Sequence, residues 1–197
     1  NAPAGGRIGY DPWLMTADQV KRFARAAAAA GADLVAVDSN PVDAVWADRP
    51  VAPPAPVTLH PPRFAGESAA RKIARVKKAL GKMDALVVSD PHGVAWLFNI
   101  RGGDVGYTPL PLAFAIVPRD DRPRLYIDGA KLSNSVRAKL ADLADIEAPD
   151  ALTSDLERLG AATKTVRFDA TTAPALLSQT LEKAGGKAEI GTDPTAL

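Results

Sequence analysis

Six prolines between positions 50 and 62 (Pro50, Pro53, Pro54, Pro56, Pro61 and Pro62) divide this chain in two. Each fixes its own φ and lacks an N–H, and each biases the preceding residue toward extended backbone. The window is therefore predicted to hold neither helix nor central strand, and to run as an extended, polyproline-like linker over 49–66. What lies on either side must then close its core separately.

At 197 residues and 47% apolar content, there is material for one sizeable domain plus a fragment. Ahead of the linker, Ile8–Tyr10 read as a strand and Asp11-Pro12 as a turn. Thr16 then opens a helix, with Gln19 completing a capping box worth about 1 kcal/mol. Val20, Phe23, Ala24 and Ala27 share a face, Gly31 ends the helix, and Leu34–Val37 return as a strand. A βαβ piece of this size cannot bury its own apolar face. It is expected to dock on the rest of the chain or to pair with another copy.

Beyond the linker, Ser68 is predicted to cap a helix with Ala69, Ile73, Val76 and Leu80 inward and Gly81 as its stop. Leu86–Val88 form a buried strand, and Asp90-Pro91 start a short helix that Gly102-Gly103 end. Ala113–Val117 and Leu125–Ile127 make a hairpin. A helix over Ser133–Leu140 and a weak strand near Ile146 follow. Asp150 or Thr153 opens the next helix, then comes a strand over Val166–Phe168. Thr172 caps a helix with Pro174 in its first turn, Gly185-Gly186 end it, and Ala188–Ile190 are the last strand. Strands alternating with helices, plus one hairpin, predict an α/β sandwich with a mixed sheet.

The chemistry carried by these residues is sparse. Net charge is +1, from 24 basic and 23 acidic residues, which argues for neither nucleic acid nor an anionic membrane as partner. No apolar run reaches membrane-span length, and Asn1–Gly6 lack the regions of a secretory signal. Absent cysteine removes disulfides and thiolate metal sites, and fits a cytoplasmic protein. His60 and His92 have no partner at metal-ligand spacing. Gly102-Gly103-Asp104-Val105-Gly106 has the wrong spacing for a dinucleotide loop. Arg71, Lys72, Arg75, Lys77, Lys78 and Lys82 form a basic stripe without interleaved aromatics, read as a solvated face or a surface for an acidic partner domain. Ser133-Asn134-Ser135 and Thr153-Ser154-Asp155 lack a neighbouring base and read as helix caps.

One stretch stands apart. Trp96–Val105 sets an aromatic-aliphatic run directly against Asn99, Arg101, Gly102, Gly103 and Asp104. A guanidinium offers five donors in a fixed fork, and paired glycines let another surface come close. Either Arg101 and Asp104 pair locally to shape a turn, or Asn99, Arg101 and Asp104 face a second body.

His92–Val105 resembles the "IAWLFNLRG-x-DV" segment in the middle domain of cytosolic-type Xaa-Pro aminopeptidases, members of the creatinase/methionine-aminopeptidase superfamily. Arg7-Ile8-Gly9-Tyr10-Asp11-Pro12 resembles their "R-x-G-x-DP" strand, and Asn40–Pro50 their "N-L-V-D-x-[IV]-W-x-DRP" junction. The blocks fall in the family's order; none is a catalytic motif. The resemblance implies a creatinase N-terminal-domain-like fold. Residues 1–48 would be the remnant of a first, similar domain, 49–66 the linker, 67–192 a non-catalytic middle domain, and 193–197 the link into a catalytic domain. It also implies a parent enzyme that removes the residue preceding proline from peptide N-termini. Two divalent metal ions, often manganese, would be held in that catalytic domain by two Asp, one His and two Glu. No such ligand motif occurs here, so this stretch is expected to be inactive alone. Its role would be to cap the active-site entrance and support assembly, with Asn99, Arg101 and Asp104 facing the catalytic domain in cis and Gly102 and Gly103 permitting close approach. Peptides with proline second would be the substrates, and a homodimer is one assembly the resemblance allows. The alternative is a stand-alone α/β interaction module without hydrolase activity.

Overall fold

The structure is a computed structural model and describes residues 5–196; the first four residues of the expected remnant and Leu197 of the expected link lie outside it. Strand β1 (Arg7–Tyr10), helix α1 (Ala17–Ala29) and strand β2 (Asp33–Ala36) form a parallel βαβ unit, with Ile8 opposite Leu34. Thr16 and Gln19 make the reciprocal capping box, and Gly31 follows in the left-handed region at φ 70°. Of the face expected to turn inward only Ala27 is buried, while Phe23 remains 45% exposed. The reason is that the unit docks by its loop rather than by its helix. Ala175 N–H donates to Met15 O at 2.8 Å, Leu176 N–H to Pro12 O at 3.0 Å, and Gln179 Nε2 to the Tyr10 hydroxyl at 3.0 Å.

A short helix that the sequence reading did not anticipate, α2 (Pro41–Val45), follows β2, capped by Asn40 with Pro41 in its first turn. The proline window also departs from expectation. Strand β3 (Thr58–Leu59) pairs antiparallel with β5 (Ile100–Arg101), and α3 (Pro62–Ala65) is helical. Two prolines are compatible with that helix because they stand at its N-terminal end, where N–H groups have no intrahelical acceptor. The linker is thus stitched to the following domain, and Val57 is buried within its core.

The main sheet has the order β10-β9-β4-β6-β7-β8 and is mixed. Strands β4 (Ala85–Val88), β9 (Thr165–Asp169) and β10 (Lys187–Gly191) run parallel. The hairpin β6 (Phe114–Pro118) and β7 (Arg124–Tyr126) turns back on β4, and β8 (Asp145–Glu147) joins the edge parallel to β7. Successive strand residues point to opposite faces, so β4, buried throughout, feeds two cores. Leu86 and Val88 pack with α4 (Ala69–Ala79), α5 (Pro91–Phe98) and α6 (Asn134–Ala141). Ala85 and Val87 pack with α7 (Ala151–Ala161) and α8 (Ala175–Lys183). The last two helices approach closely at Gly160, where a Cβ would lie 2.5 Å from Leu181 O.

Two expected caps are not caps. Thr172 does not open α8, which starts after Pro174; its hydroxyl donates to Asp169 and meets the Ser89 hydroxyl at 2.8 Å. Helix α7 begins after Asp150 without a side-chain cap, and Asp155 of the Thr153-Ser154-Asp155 group is buried instead. It accepts from the Tyr126 hydroxyl and from Arg158, with Arg124 3.5 Å away.

Candidate functional site

Helix α5 positions the singled-out stretch. Asp90 caps its start by accepting from His92 N–H at 3.0 Å. Its end is not made by Gly102-Gly103 but by Asn99, in the left-handed region at φ 51°. Asparagine tolerates that conformation better than most residues, and here its side chain is fixed on both sides. Asn99 Oδ1 accepts from Lys72 Nζ at 2.6 Å, and Nδ2 donates to Glu67 O at 2.9 Å.

Lys72 therefore leaves the solvated basic stripe to which the sequence reading assigned it. Only 3% exposed, it also donates to Trp96 O at 3.0 Å and lies 4.6 Å from the centroid of the Trp96 ring. A cation at the last carbonyls of a helix is favourably placed against the helix dipole. Burial pulls the Lys72 amine below its ordinary value; Glu67 opposes this, while Arg101 and Arg75 add to it.

After Asn99 the backbone pairs with β3 and then doubles back. Arg101 is half-buried, its Nη1 donating to Ile100 O at 2.8 Å and Ala95 O at 3.4 Å. It does not pair with Asp104. The Asp104 carboxylate, with no exposed side-chain surface, instead meets Lys131 Nζ at 2.7 Å, the Leu112 N–H at 2.7 Å and the Ala55 N–H at 3.3 Å. One residue thus ties the linker, the 102–112 loop and the 3-10 turn at Gly129–Lys131 together. Gly102 is required by packing, since a Cβ there would fall 2.7–2.9 Å from Pro111 atoms. Beyond this anchor the loop turns tightly, with Val105 bridging Thr108. Tyr107 at its tip has φ 59° and is fully exposed.

The five singled-out residues consequently separate. Asn99 and Asp104 are spent on bonds within the chain; Arg101 and Gly103 lie at the surface, near exposed Val105, Tyr107 and Leu112. Sequence reasoning missed Lys72 and Lys131. Lys72 carried a signal, since it sits four residues before Val76 on the inward face; Lys131 carried none. Among the described residues, no three His, Cys, Asp or Glu side chains gather closely enough to hold a metal ion. The donor set present does not suit a dinuclear centre. What this surface can do is present a guanidinium, a close-approach glycine and an apolar knuckle to another body.

A mixed six-stranded sheet between helical layers, entered through a stitched proline segment, defines the class. Residues 48–197 match the family model of the creatinase/prolidase N-terminal domain, and the chain belongs to that family. Among sequence relatives, the probable Xaa-Pro aminopeptidase P of Paracoccidioides brasiliensis strain Pb03 is 39% identical over 160 residues, covering 79% of this chain and 26% of the relative. That of Colletotrichum graminicola is 39% identical over 144 residues, 71% of this chain and 23% of the relative. Among solved structures, the X-prolyl aminopeptidase of Caenorhabditis elegans, described as a cytosolic enzyme with a di-nuclear active site, superposes with a TM-score of 0.86 at 26% identity. That match covers 98% of this chain and 32% of the enzyme, so it includes the βαβ unit. The chain spans about a quarter of the length of these curated relatives. No helix of the described residues is long and apolar enough to cross a membrane.

Proposed function

We propose that this chain is a non-catalytic N-terminal region of a Xaa-Pro aminopeptidase, and that its Arg101–Leu112 surface borders the entrance to a catalytic domain in cis. The parent would release the residue ahead of proline from peptide N-termini in the cytoplasm. Two divalent metal ions, manganese in this reading, would be bound by residues beyond those present here. The observation that carries the proposal is 39% identity to Xaa-Pro aminopeptidases P spread over 160 residues, joined to a fold match that covers nearly the whole chain.

The domain reading has support of its own. Strand β9, helix α8 and strand β10 repeat the parallel β1-α1-β2 arrangement, each pair running in register over four or five residues. Residues 1–48 are then the tail of a first copy of the same fold, 49–66 the linker, 67–192 the second copy and 193–197 the way out. The contribution to catalysis would be steric and electrostatic: narrowing access and offering Arg101 to a carboxylate of the catalytic domain or of the peptide.

In the full-length enzyme, Arg101→Ala is expected to lower kcat/KM on Xaa-Pro peptides about tenfold or more, as loss of roughly 1.5–3 kcal/mol of charge-assisted hydrogen bonding requires. Unfolding of the isolated chain should change little, because its bonds inside this chain go to carbonyls already at a strand and helix end. Unaltered peptide cleavage by that variant would discard the entrance role.

A further inference from the structure

The chain builds the same joint twice. Strand β1 runs into Asp11, whose Oδ1 accepts from Trp13 N–H at 2.8 Å. After the helix and second strand, Asn40 returns beside it: Nδ2 donates to Asp11 Oδ2 at 2.8 Å, and Oδ1 accepts from Val42 N–H at 2.9 Å ahead of a proline-led helix. In the second unit β9 ends at Asp169, whose Oδ1 accepts from Thr171 N–H at 2.8 Å. Its Oδ2 accepts from Asp193 N–H at 2.9 Å, and Asp193 Oδ1 accepts from Thr195 N–H at 2.7 Å, ahead of the proline-led turn Pro194–Ala196. The first joint is closed by a side-chain amide and the second by a backbone N–H, and the side chain before the proline differs. Where the first has a neutral amide, the second has a carboxyl.

We propose that the second joint is closed by a proton held on Asp193, and that loss of this proton loosens the Pro194–Ala196 turn from helix α5. Asp193 is 3% exposed, and its Oδ2 has no hydrogen-bond partner among the described residues. A neutral carboxyl gives this buried side chain a donor, as the amide gives Asn40 one. An ionised one sets a second buried negative charge beside Asp169, which burial and the like charges of Asp169 and Asp90 disfavour. The groups that face it are few. Strand β9 contributes Asp169 and Arg167, whose Nη1 is turned to Thr192 O at 3.4 Å and whose Nε is buried without a hydrogen-bond partner among the described residues. Helix α5 contributes Asp90 and, engaged with it at 3.0 Å, His92. At the end of α4, whose last turn carries Lys77 and Lys78, Ala79, Leu80 and the neighbouring Met83 line a cleft with Arg167, Thr192 and Pro194.

Desolvation raises the Asp193 carboxyl above its ordinary value, opposed by its bonds to Thr195 and reinforced by Asp169 and Asp90. Asp169 moves the other way: burial resists its charge, but bonds from Thr171, Asp193 and Thr172 outweigh it. The two carboxyls are thus pushed apart, Asp193 upward and Asp169 downward. With its folded value raised, Asp193 stabilises the joint fully below the ordinary carboxylate range, and that contribution fades as pH rises through the folded value. The turn it governs is a contact point. Thr195 Oγ1 lies 2.6 Å from where a Cβ on Gly93 would stand, so the turn rests on α5 at a residue without a side chain.

This inference stands apart from the peptidase reading and is tested on the chain alone. Carboxyl ¹³C resonances are followed by NMR across pH, with Asp193→Asn assigning the signal. Asp193 is expected to titrate above the ordinary value of about 3.9. The Thr195 and Ala196 amides should move with the same midpoint, and in Asp193→Asn they should hold their low-pH positions throughout. An Asp193 signal titrating at or below the ordinary value, or Thr195 and Ala196 resonances indifferent to it, would overturn the proposal; the wild-type titration decides even if the variant does not fold.

Discussion

Replacing Asp104 with Asn separates an anchoring residue from a contact residue. The substitution preserves shape and removes charge. In the native chain the carboxylate is fully covered and accepts three hydrogen bonds, from Lys131 Nζ, Leu112 N–H and Ala55 N–H. An amide has one acceptor oxygen, so its NH2 must turn toward at least one of those donors. Lys131, itself 4% exposed at its side chain, is left as a buried cation without an anion. Breaking a buried pair from one side costs about 3–5 kcal/mol. For a chain of this length each kcal/mol moves the melting temperature by roughly 2–4 °C, so a fall on the order of 6–20 °C is expected. Denaturant unfolding of the isolated chain measures the same quantity through its midpoint. Lys131→Met should cost a similar amount, and the double variant less than the sum, because the second change removes the charge that the first stranded. A loss under about 1 kcal/mol in Asp104→Asn would refute the reasoning. It would mean that the pair is hydrated in solution and that Asp104 is available to a partner.

Two further outcomes follow from the same geometry. Gly102→Ala drives a methyl into Pro111 backbone atoms and should destabilise by about 1–3 kcal/mol, read by denaturant unfolding; a change within 0.5 kcal/mol, the usual surface range, would show that the loop yields. Acid should weaken the fold through Asp155, where burial opposes the charge but bonds from Tyr126 and Arg158, with Arg124 nearby, hold the folded value below the ordinary one. Stability from this group is present above the ordinary carboxylate value near 3.9 and fades as pH falls through the folded value, so Tyr126→Phe should flatten the acid limb of a stability–pH profile. An unchanged limb would assign the acid sensitivity to other carboxylates.

The elements most readable from the sequence are those whose signals are local. Thr16 with Gln19, Ser68 with its 3–4 spaced apolar face, and the Asp90-Pro91 start each fix a helix end by contacts within one turn. The alternation that lets β4 serve two cores was visible as an unbroken apolar run. What was not visible depended on distant partners. Thr172 has the composition of a cap, but Asp169 lies three residues before it and takes its hydroxyl. Pro61 and Pro62 look like linker, and the antiparallel β3–β5 pairing that draws the neighbouring Thr58–Leu59 into the domain comes from about forty residues away. For Asp104 the sequence left two readings open, a local pair with Arg101 three positions back or a face toward a second body; the buried ammonium that captures it is Lys131. Proximity in sequence does not decide the pairing, because a half-exposed guanidinium gains little from a carboxylate, whereas a buried ammonium cannot do without one.

That division sharpens where function can lie. Asn99 and Asp104 are both buried and each is bonded to partners inside the chain, so neither lies open to a second body. The outward set is Arg101, Gly103, Val105, Tyr107 and Leu112. Tyr107 holds a left-handed backbone, which costs a side-chain-bearing residue about 1–3 kcal/mol, while the residue is fully exposed. Burial of a ring against a partner returns more than that, since fully covering a large apolar side chain is worth roughly 1.5–3 kcal/mol and an aromatic contact adds to it. Within the chain the loop is held from beneath by Asp104 and Gly102 and left unpaid at its tip. In the proposed enzyme the catalytic domain is the surface that would repay it, with Arg101 at the foot of the same loop supplying the charge.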